Sequence, residues 1–320
     1  MSPAAGPGVP TERSAPAGRT LPTYVWEPTT DFLAARYGLP RESIVRFDVN
    51  TSPLPPDLSD VLAGSFDPPL CEYPPSDYAA LVAVAAESYG VGTDEILPTA
   101  GADEALDLTA RAFLREGSVA VAAVPTYAMY RIVSEQRGAR FVAVPRTSRE
   151  AGFGLDIPAM ARAARGAQLV WLCEPNNPTG AVEPPERIAE LLGLLASQAS
   201  QDGREAPAVA IDEAYAEFVG RSVLPLRARY SRLVVIRTLS KAHALAGARV
   251  GFAVARPETL GPIVSYRAPA SVSTGAASSV VNVAPKGPSA SEVAAINFFM
   301  VSFLSILILQ LFLPRLTEGP

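Results

Sequence analysis

Short apolar runs without strict alternation recur through the middle of the chain, and we interpret them as strands. They cover residues 118–124, 141–144, 169–173, 208–211, 233–236 and 250–255. Unbroken apolarity is typical of strands that are buried on both faces. Other stretches predict helices over residues 30–37, 78–88, 103–114, 157–165 and 185–197. Strands spaced by helices predict an α/β fold with a mostly parallel sheet flanked by helices.

The two ends of the chain have different patterns. Residues 1–22 are rich in Pro, Ala, Gly and Ser, which predicts a disordered segment. Residues 23–280 are expected to form one domain with an irregular, proline-rich N-terminal arm, followed by a linker over residues 281–292. Residues 293–313 carry no charge and are long enough to cross a bilayer, and residues 314–320 form a tail. The apolar run predicts a helix that either associates with a membrane or packs against protein.

Composition narrows the classes of function. The chain has 320 residues, a formal net charge of -5 and no basic block, so a nucleic acid is not an expected partner. A single histidine, His243, argues against serine hydrolase triads and multi-histidine metal sites, and we predict no metal. The two cysteines, Cys71 and Cys173, lack a partner motif. This usage is typical of a reducing compartment and predicts a cytoplasmic location.

Five side chains suggest one kind of chemistry. Lys241 offers an amine, Asp212 an acid at the end of a strand, Tyr215 a phenol, Asn177 an amide and Arg249 a fixed cation. An aldehyde cofactor that carries a phosphate and a pyridine ring needs this set of groups. The amine would form an imine and move a proton, and the acid would pair with the pyridine nitrogen. The phenol and the amide could both hydrogen-bond the cofactor 3′-oxygen.

Further donors suit the phosphate and the ring of such a cofactor. The phosphate donors are the backbone N–H groups of Ala102 and Asp103 at a predicted helix start, the guanidinium of Arg249, and the hydroxyls of Thr238 and Ser240. Tyr127 could stack on the face of the pyridine ring.

The chain resembles the class I/II aminotransferases of pyridoxal phosphate fold type I, most closely the histidinol-phosphate aminotransferase group. The resemblance covers residues 23–280 and rests on the order and spacing of several motifs. These are Glu72-Tyr73-Pro74, Gly101-Ala102-Asp103-Glu104-Ala105, Pro125-Thr126-Tyr127-Ala128-Met129-Tyr130, Asn176–Gly180, Asp212-Glu213-Ala214-Tyr215 and Thr238–Arg249.

The resemblance assigns roles to the matching positions. Lys241 corresponds to the Schiff-base lysine, and Asp212 to the partner of the pyridinium. The remaining cofactor ligands are Asn177 and Tyr215 at the 3′-oxygen, and Arg249, Ser240 and Thr238 at the phosphate. Tyr73 would reach the phosphate of the other subunit, which implies a homodimer. Tyr24 would contact substrate from the N-terminal arm, as would Asn177 from its loop.

The implied function is transamination of histidinol phosphate, or of a related aromatic amino acid, with a 2-oxo acid, 2-oxoglutarate, as the partner. Pyridoxal 5′-phosphate is the implied cofactor. A threonine-phosphate decarboxylase shares these motifs and is one alternative. A cofactor-binding protein without turnover, tethered at a membrane or not, is another, and an ordinary α/β protein with accidental motifs is the third.

Two departures from the family pattern bear on activity. Asn50-Thr51-Ser52-Pro53 lacks the second asparagine that usually precedes the proline. The similarity fades near Ser279, where the family continues into a small domain whose arginine grips the substrate. Truncation or a frameshift, a membrane tether, or a helix packed in place of that domain would each explain the apolar run. We therefore expect the full chain to be poorly soluble, with low activity.

Overall fold

The computed structural model describes residues 21–52, 59, 66 and 68–283. The apolar run over residues 293–313, the tail, and all but the last two residues of the predicted disordered segment lie outside this part of the chain. The last described helix ends at Val283, so the first positions of the predicted linker are helical. No helix among the described residues combines the length and apolarity needed to cross a membrane.

One mixed sheet organises the described residues. Its strands are β1 Ile96–Thr99, β2 Val119–Val124, β3 Arg140–Pro145, β4 Leu169–Cys173, β5 Ala208–Asp212, β6 Leu233–Thr238 and β7 Gly251–Ala255. Their order across the sheet is β1-β7-β6-β5-β4-β2-β3. Strand β7 runs antiparallel to both of its neighbours, and the other pairs are parallel. The predicted α/β class with a mostly parallel sheet is confirmed.

Helices cover both faces of this sheet. They are α1 Thr30–Tyr37, α2 Ala79–Tyr89, α3 Gly101–Phe113, α4 Met129–Gln136, α5 Ile157–Ala163, α6 Pro185–Gln201, α7 Ala216–Val219, α8 Pro257–Val264 and α9 Thr274–Val283. Short 3-10 turns lie at Arg41–Ser43, Thr93–Glu95, Leu224–Ala228 and Ala246–Ala248. The five predicted helices are present, with ends that shift by a few residues.

Alternate residues of the strands pack into two separate apolar layers, one on each face of the sheet. On one face, Val170, Val209 and Val235 pack with α2, α5 and α6. On the other face, Trp171 and Ala210 pack with α3, α4 and α8. Because side chains alternate between faces along a strand, burial on both faces requires apolar residues at nearly every position. This explains the unbroken apolar runs in the sequence.

Candidate active site

The candidate residues gather at the carboxyl ends of the parallel strands. Asp212 is the last residue of β5, Lys241 follows the end of β6, and Asn177 follows β4. Neighbouring parallel strands end at the same edge of a sheet, which is where open α/β sheets bind ligands. The order β6-β5-β4 therefore brings three distant parts of the sequence together.

The Asp212 carboxylate is buried and held at both oxygens. Its Oδ1 accepts the backbone N–H of Ala214 at 3.1 Å, and its Oδ2 accepts the hydroxyl of Tyr130 at 2.9 Å. Burial raises the pKa of Asp212 to about 6, while these two hydrogen bonds act in the opposite direction. The nearby Lys241 amine also favours the ionised form of Asp212.

Lys241 lies among groups that suit a reactive amine. Its Nζ donates to the backbone oxygen of Val49 at 3.5 Å and lies 5.7 Å from the centre of the Tyr215 ring. Burial lowers the pKa of Lys241, and the carboxylates of Asp103 and Asp212 partly offset this. A lowered pKa increases the neutral fraction of the amine, which is the nucleophilic form.

Tyr215 faces the N-terminal arm. Its hydroxyl oxygen accepts a hydrogen bond from Nδ2 of Asn50 at 3.3 Å. Burial raises the pKa of Tyr215, so the phenol stays protonated and can donate. Val49 and Asn50 thus place the arm beside both Lys241 and Tyr215.

The two adjacent asparagines after β4 have different surroundings. Asn176 is buried and its side chain is fully engaged with the surrounding loops, through Thr126, Arg146, Thr179 and the backbone oxygen of Pro125. Asn177 is only half-buried, and its backbone N–H donates to Sγ of Cys173 at 3.4 Å. Asn176 therefore fixes the loop, which leaves Asn177 as the residue that can present its amide to a ligand.

Gly101, Arg249 and Gly251 form a narrow site at the first turn of α3, which we call the cradle. A Cβ on Gly251 would lie 2.5 Å from the carbonyl carbon of Gly101, and a Cβ on Gly101 would lie 2.5 Å from Nη2 of Arg249. Gly101 also has a φ of 78°, which side chains disfavour. Two glycines therefore let strand β7 and the Arg249 guanidinium approach the N-terminus of the helix, where anions are stabilised.

The loop after β6 supplies hydroxyls beside this cradle. The Thr238 hydroxyl lies 2.9 Å from Ser240 Oγ and 3.2 Å from the backbone oxygen of Val250, and it accepts the N–H of Ser240. Both side chains are buried. In this structure the contacts of Thr238 are internal to the loop and orient Ser240.

Aromatic rings form one wall of the site. Tyr127 donates to Oδ1 of Asp103 at 3.2 Å, and its ring lies edge-on to Tyr130 and to Tyr24. The Tyr24 hydroxyl donates to Glu27 of the arm at 3.1 Å. The structure therefore brings Tyr24 to the site with Tyr127. Tyr73, in contrast, is 88% exposed and has no place in the site of this single chain.

Three further residues of the site were not predicted as site residues from the sequence. They are Val49, Asn50 and Tyr130, which contact Lys241, Tyr215 and Asp212. Asn50 and Tyr130 each lay in a stretch that matched, or nearly matched, a family motif. For Asn50 and Tyr130, their position in these motif stretches was the one sequence signal that could have indicated a role in the site.

Comparison with known proteins identifies the family. The family model described as aminotransferase class I and II matches residues 60–296. The histidinol-phosphate aminotransferase of Roseiflexus castenholzii is 38% identical over 252 residues, which cover 76% of this chain and 64% of the relative. That of Symbiobacterium thermophilum is 36% identical over 263 residues, with 80% and 68% covered. A Xylella fastidiosa relative is covered to 49%, so the chain spans about half to two thirds of these relatives.

Solved structures share the fold. The histidinol-phosphate aminotransferase from Sinorhizobium meliloti, in complex with pyridoxal-5′-phosphate, matches with a TM-score of 0.70 at 22% identity, covering 86% of this chain and 71% of that one. Aspartate aminotransferase from Thermus thermophilus with maleate matches with a TM-score of 0.66 at 20% identity, covering 86% and 74%. These matches confirm the fold type I prediction. The chain belongs to the class I and II aminotransferase family.

Proposed function

We propose that this chain is a pyridoxal phosphate-dependent aminotransferase that acts on histidinol phosphate or a related aromatic amino acid, with 2-oxoglutarate as the amino acceptor. One observation carries the proposal: the Lys241 amine and the Asp212 carboxylate lie at the carboxyl edge of the sheet, close enough to influence each other electrostatically, and the Arg249 guanidinium acts on the same amine. The substrate class comes from the relatives, which are named histidinol-phosphate aminotransferases.

The residues present fit this cofactor. The close approach of Gly251 and Arg249 to Gly101 makes a cationic cradle at a helix N-terminus, as a phosphate requires. A buried acid, Asp212, and a half-buried amine with a lowered pKa, Lys241, lie beside it. The residues that would hold the cofactor are Lys241, Asp212, Tyr215, Asn177, Tyr127, Thr238, Ser240, Arg249, the backbone of Ala102 and Asp103, and Tyr73 of a second subunit.

When bound, pyridoxal phosphate supplies an electron-accepting ring that stabilises the charge left when a proton leaves the substrate. The protein residues bind the cofactor and move the proton. The neutral Lys241 amine can act as a nucleophile and as the base that moves the proton. Asp212, held ionised, can keep a proton on the ring nitrogen, and Tyr127 can cover one ring face.

The substrate side of the site is part of the same proposal. Tyr24 lies against Tyr127 at the mouth of the site, so it is placed to contact an amino donor together with Asn177. The exposed Tyr73 ring would be covered in a homodimer. We also propose a cytoplasmic location. The decarboxylase and non-catalytic alternatives find no support in the relatives described above.

A covalent-labelling experiment tests the cofactor assignment. The chain contains only two lysines, Lys241 and Lys286. We expect the full chain mixed with pyridoxal phosphate to become yellow, and borohydride to fix the cofactor on Lys241 in a peptide map. Lys241→Ala should lose this label, while the control Lys286→Ala should keep it. A label that persists elsewhere in Lys241→Ala would overturn the assignment.

A single-turnover experiment tests the reaction. Histidinol phosphate should convert the bound cofactor to pyridoxamine phosphate, and 2-oxoglutarate should reverse the change with formation of glutamate. O-phosphothreonine is the comparison substrate, and release of carbon dioxide from it would favour the decarboxylase. A single turnover suits a chain of low activity because it needs no repeated cycles.

A further inference from the structure

Among the described residues, a buried tyrosine hydroxyl is one of two hydrogen-bond donors to the carboxylate of Asp212. Tyr130 has no exposed surface, and its hydroxyl donates to Oδ2 of Asp212 at 2.9 Å. The other donor, the backbone N–H of Ala214, is close in sequence and binds Oδ1. The two donors restrain both rotation and tilt of the carboxylate.

The ring that carries this hydroxyl is itself held in place. It stacks on Trp171 with a centroid distance of 5.6 Å and an interplanar angle of 11°. The Trp171 Nε1 donates to Ser134 Oγ at 3.0 Å, and Ser134 Oγ donates to the backbone oxygen of Tyr130 at 2.6 Å. Because this network is closed and buried, it fixes the position of the Tyr130 hydroxyl rather than merely filling space.

The surrounding charges leave Tyr130 as a neutral donor. Burial raises the pKa of Tyr130 well above its ordinary value and raises that of Cys173 to about 12, so neither adds a negative charge. The titratable groups around Asp212 are Tyr127, Tyr130, Tyr215, Cys173, Asp103 and Lys241. Asp103 opposes ionisation of Asp212, whereas Lys241 supports it.

We propose that Tyr130 is a positioning residue whose hydroxyl holds the Asp212 carboxylate ionised and in one orientation. The inference rests on the proposed function, because the purpose of an ionised Asp212 is to pair with the ring nitrogen of the cofactor. A hydrogen bond to a carboxylate stabilises the charged form over the neutral form. The hydroxyl of Tyr130 therefore acts on the reaction through Asp212, while its ring packs against Tyr127.

The test measures Asp212 itself. In the cofactor-free full chain with carboxyl-labelled aspartate, 13C NMR follows the titration of Asp212, which Asp212→Asn assigns. Tyr130→Phe removes only the hydroxyl and should raise the midpoint by about one pH unit. The control is Tyr230→Phe, which removes a buried hydroxyl that donates to the backbone oxygen of Pro207 at 2.7 Å, and it should leave the midpoint unchanged.

Other outcomes are equally decisive. An unchanged Asp212 midpoint in Tyr130→Phe would overturn the proposal. If that variant does not fold, replacing Tyr130 by 3-fluorotyrosine keeps the ring and strengthens the donor, so the midpoint should fall; no fall would also overturn it. In the loaded protein, Tyr130→Phe should move the pH midpoint of the visible cofactor absorbance upward. Absence of cofactor binding in the unsubstituted chain would remove the proposed function, while the cofactor-free titration still decides the role of Tyr130.

Discussion

The guanidinium of Arg249 pairs with the carboxylate of Asp103 across the first turn of α3, with Nη2 and Oδ2 separated by 3.1 Å. The same carboxylate accepts the hydroxyl of Tyr127. Asp103 therefore links the cation of the proposed phosphate cradle to the ring that would cover the cofactor. Both charged side chains are about half exposed, and ion pairs of this kind add little to stability. We therefore expect the contacts among Arg249, Asp103 and Tyr127 to matter for cofactor binding rather than for stability.

Replacing Arg249 should weaken cofactor binding without unfolding the protein. Arg249→Gln removes a charge-assisted hydrogen bond to a phosphate, which corresponds to an affinity loss of about 10- to 100-fold. Fluorescence titration with pyridoxal phosphate gives the Kd, and urea unfolding checks the stability. Arg229→Gln, at an exposed position outside the site, is the matched control. Equal Kd values for the two variants would remove Arg249 from the phosphate site.

Replacing Asp212 should separate cofactor binding from catalysis. Asp212→Asn keeps the shape of the side chain but cannot balance a protonated ring nitrogen, so proton transfer should slow by about 100-fold or more. The cofactor should still bind through Lys241. Stopped-flow measurement of the half-reaction with histidinol phosphate gives the rate, with Asp107→Asn on α3 as the control. Equal half-reaction rates for Asp212→Asn and the unsubstituted chain would contradict the assigned role.

The placement of Asp212 and Lys241 at one edge of the sheet was predictable, because each residue follows a predicted strand. Apolar runs predict the strands, and parallel strands end at the same edge, where open α/β sheets bind ligands. The order of the strands, which makes β5 and β6 neighbours, was not predicted. The first strand escaped prediction because Ile96–Thr99 is short and contains Pro98, which is unfavourable in a strand interior. It is tolerated here because β1 lies at the edge of the sheet.

The contacts that refine the site could not be predicted in the same way. Asn50 and Tyr215 are far apart in the sequence, and their hydrogen bond depends on how the irregular arm lies over the sheet. The arm has no periodic pattern of hydrophobic residues from which its path over the sheet could be predicted. The bond from Tyr130 to Asp212 likewise depends on α4 packing beside β4 and β5, which local pattern does not encode.

A buried carboxyl behind the asparagine loop should make stability depend on pH. Burial, together with the nearby Glu183 carboxylate, raises the pKa of Glu174 to about 8, although its Oε1 accepts the N–H of Glu183 at 2.8 Å. Because this pKa is above the ordinary value, the contribution of Glu174 to stability is complete at low pH. It is lost as the pH rises from about 4.5 through about 8.

Glu174→Gln should remove this dependence. The amide can still accept the N–H of Glu183 but carries no proton to lose. The free energy of unfolding of the unsubstituted chain should therefore fall relative to the variant by up to about 1.4 kcal/mol per pH unit across this range. Urea unfolding at several pH values measures the difference, and Glu190→Gln at an exposed position of α6 is the control. Parallel pH profiles for Glu174→Gln and the unsubstituted chain would show that folding does not raise the pKa of Glu174.

Two glycine substitutions should have opposite effects because their surroundings differ. A Cβ at Gly251 would lie 2.5 Å from the backbone of Gly101, so strand β7 and the start of α3 would have to separate. Gly251→Ala should lower the unfolding midpoint and weaken cofactor binding, since the cradle opens. A Cβ at Gly193, inside α6, meets nothing within 4 Å, and alanine is favoured there by about 0.5–1 kcal/mol. Gly193→Ala should therefore raise the unfolding midpoint and leave the Kd for pyridoxal phosphate unchanged. If Gly251→Ala kept both properties, the close contact between β7 and α3 would not shape the cradle.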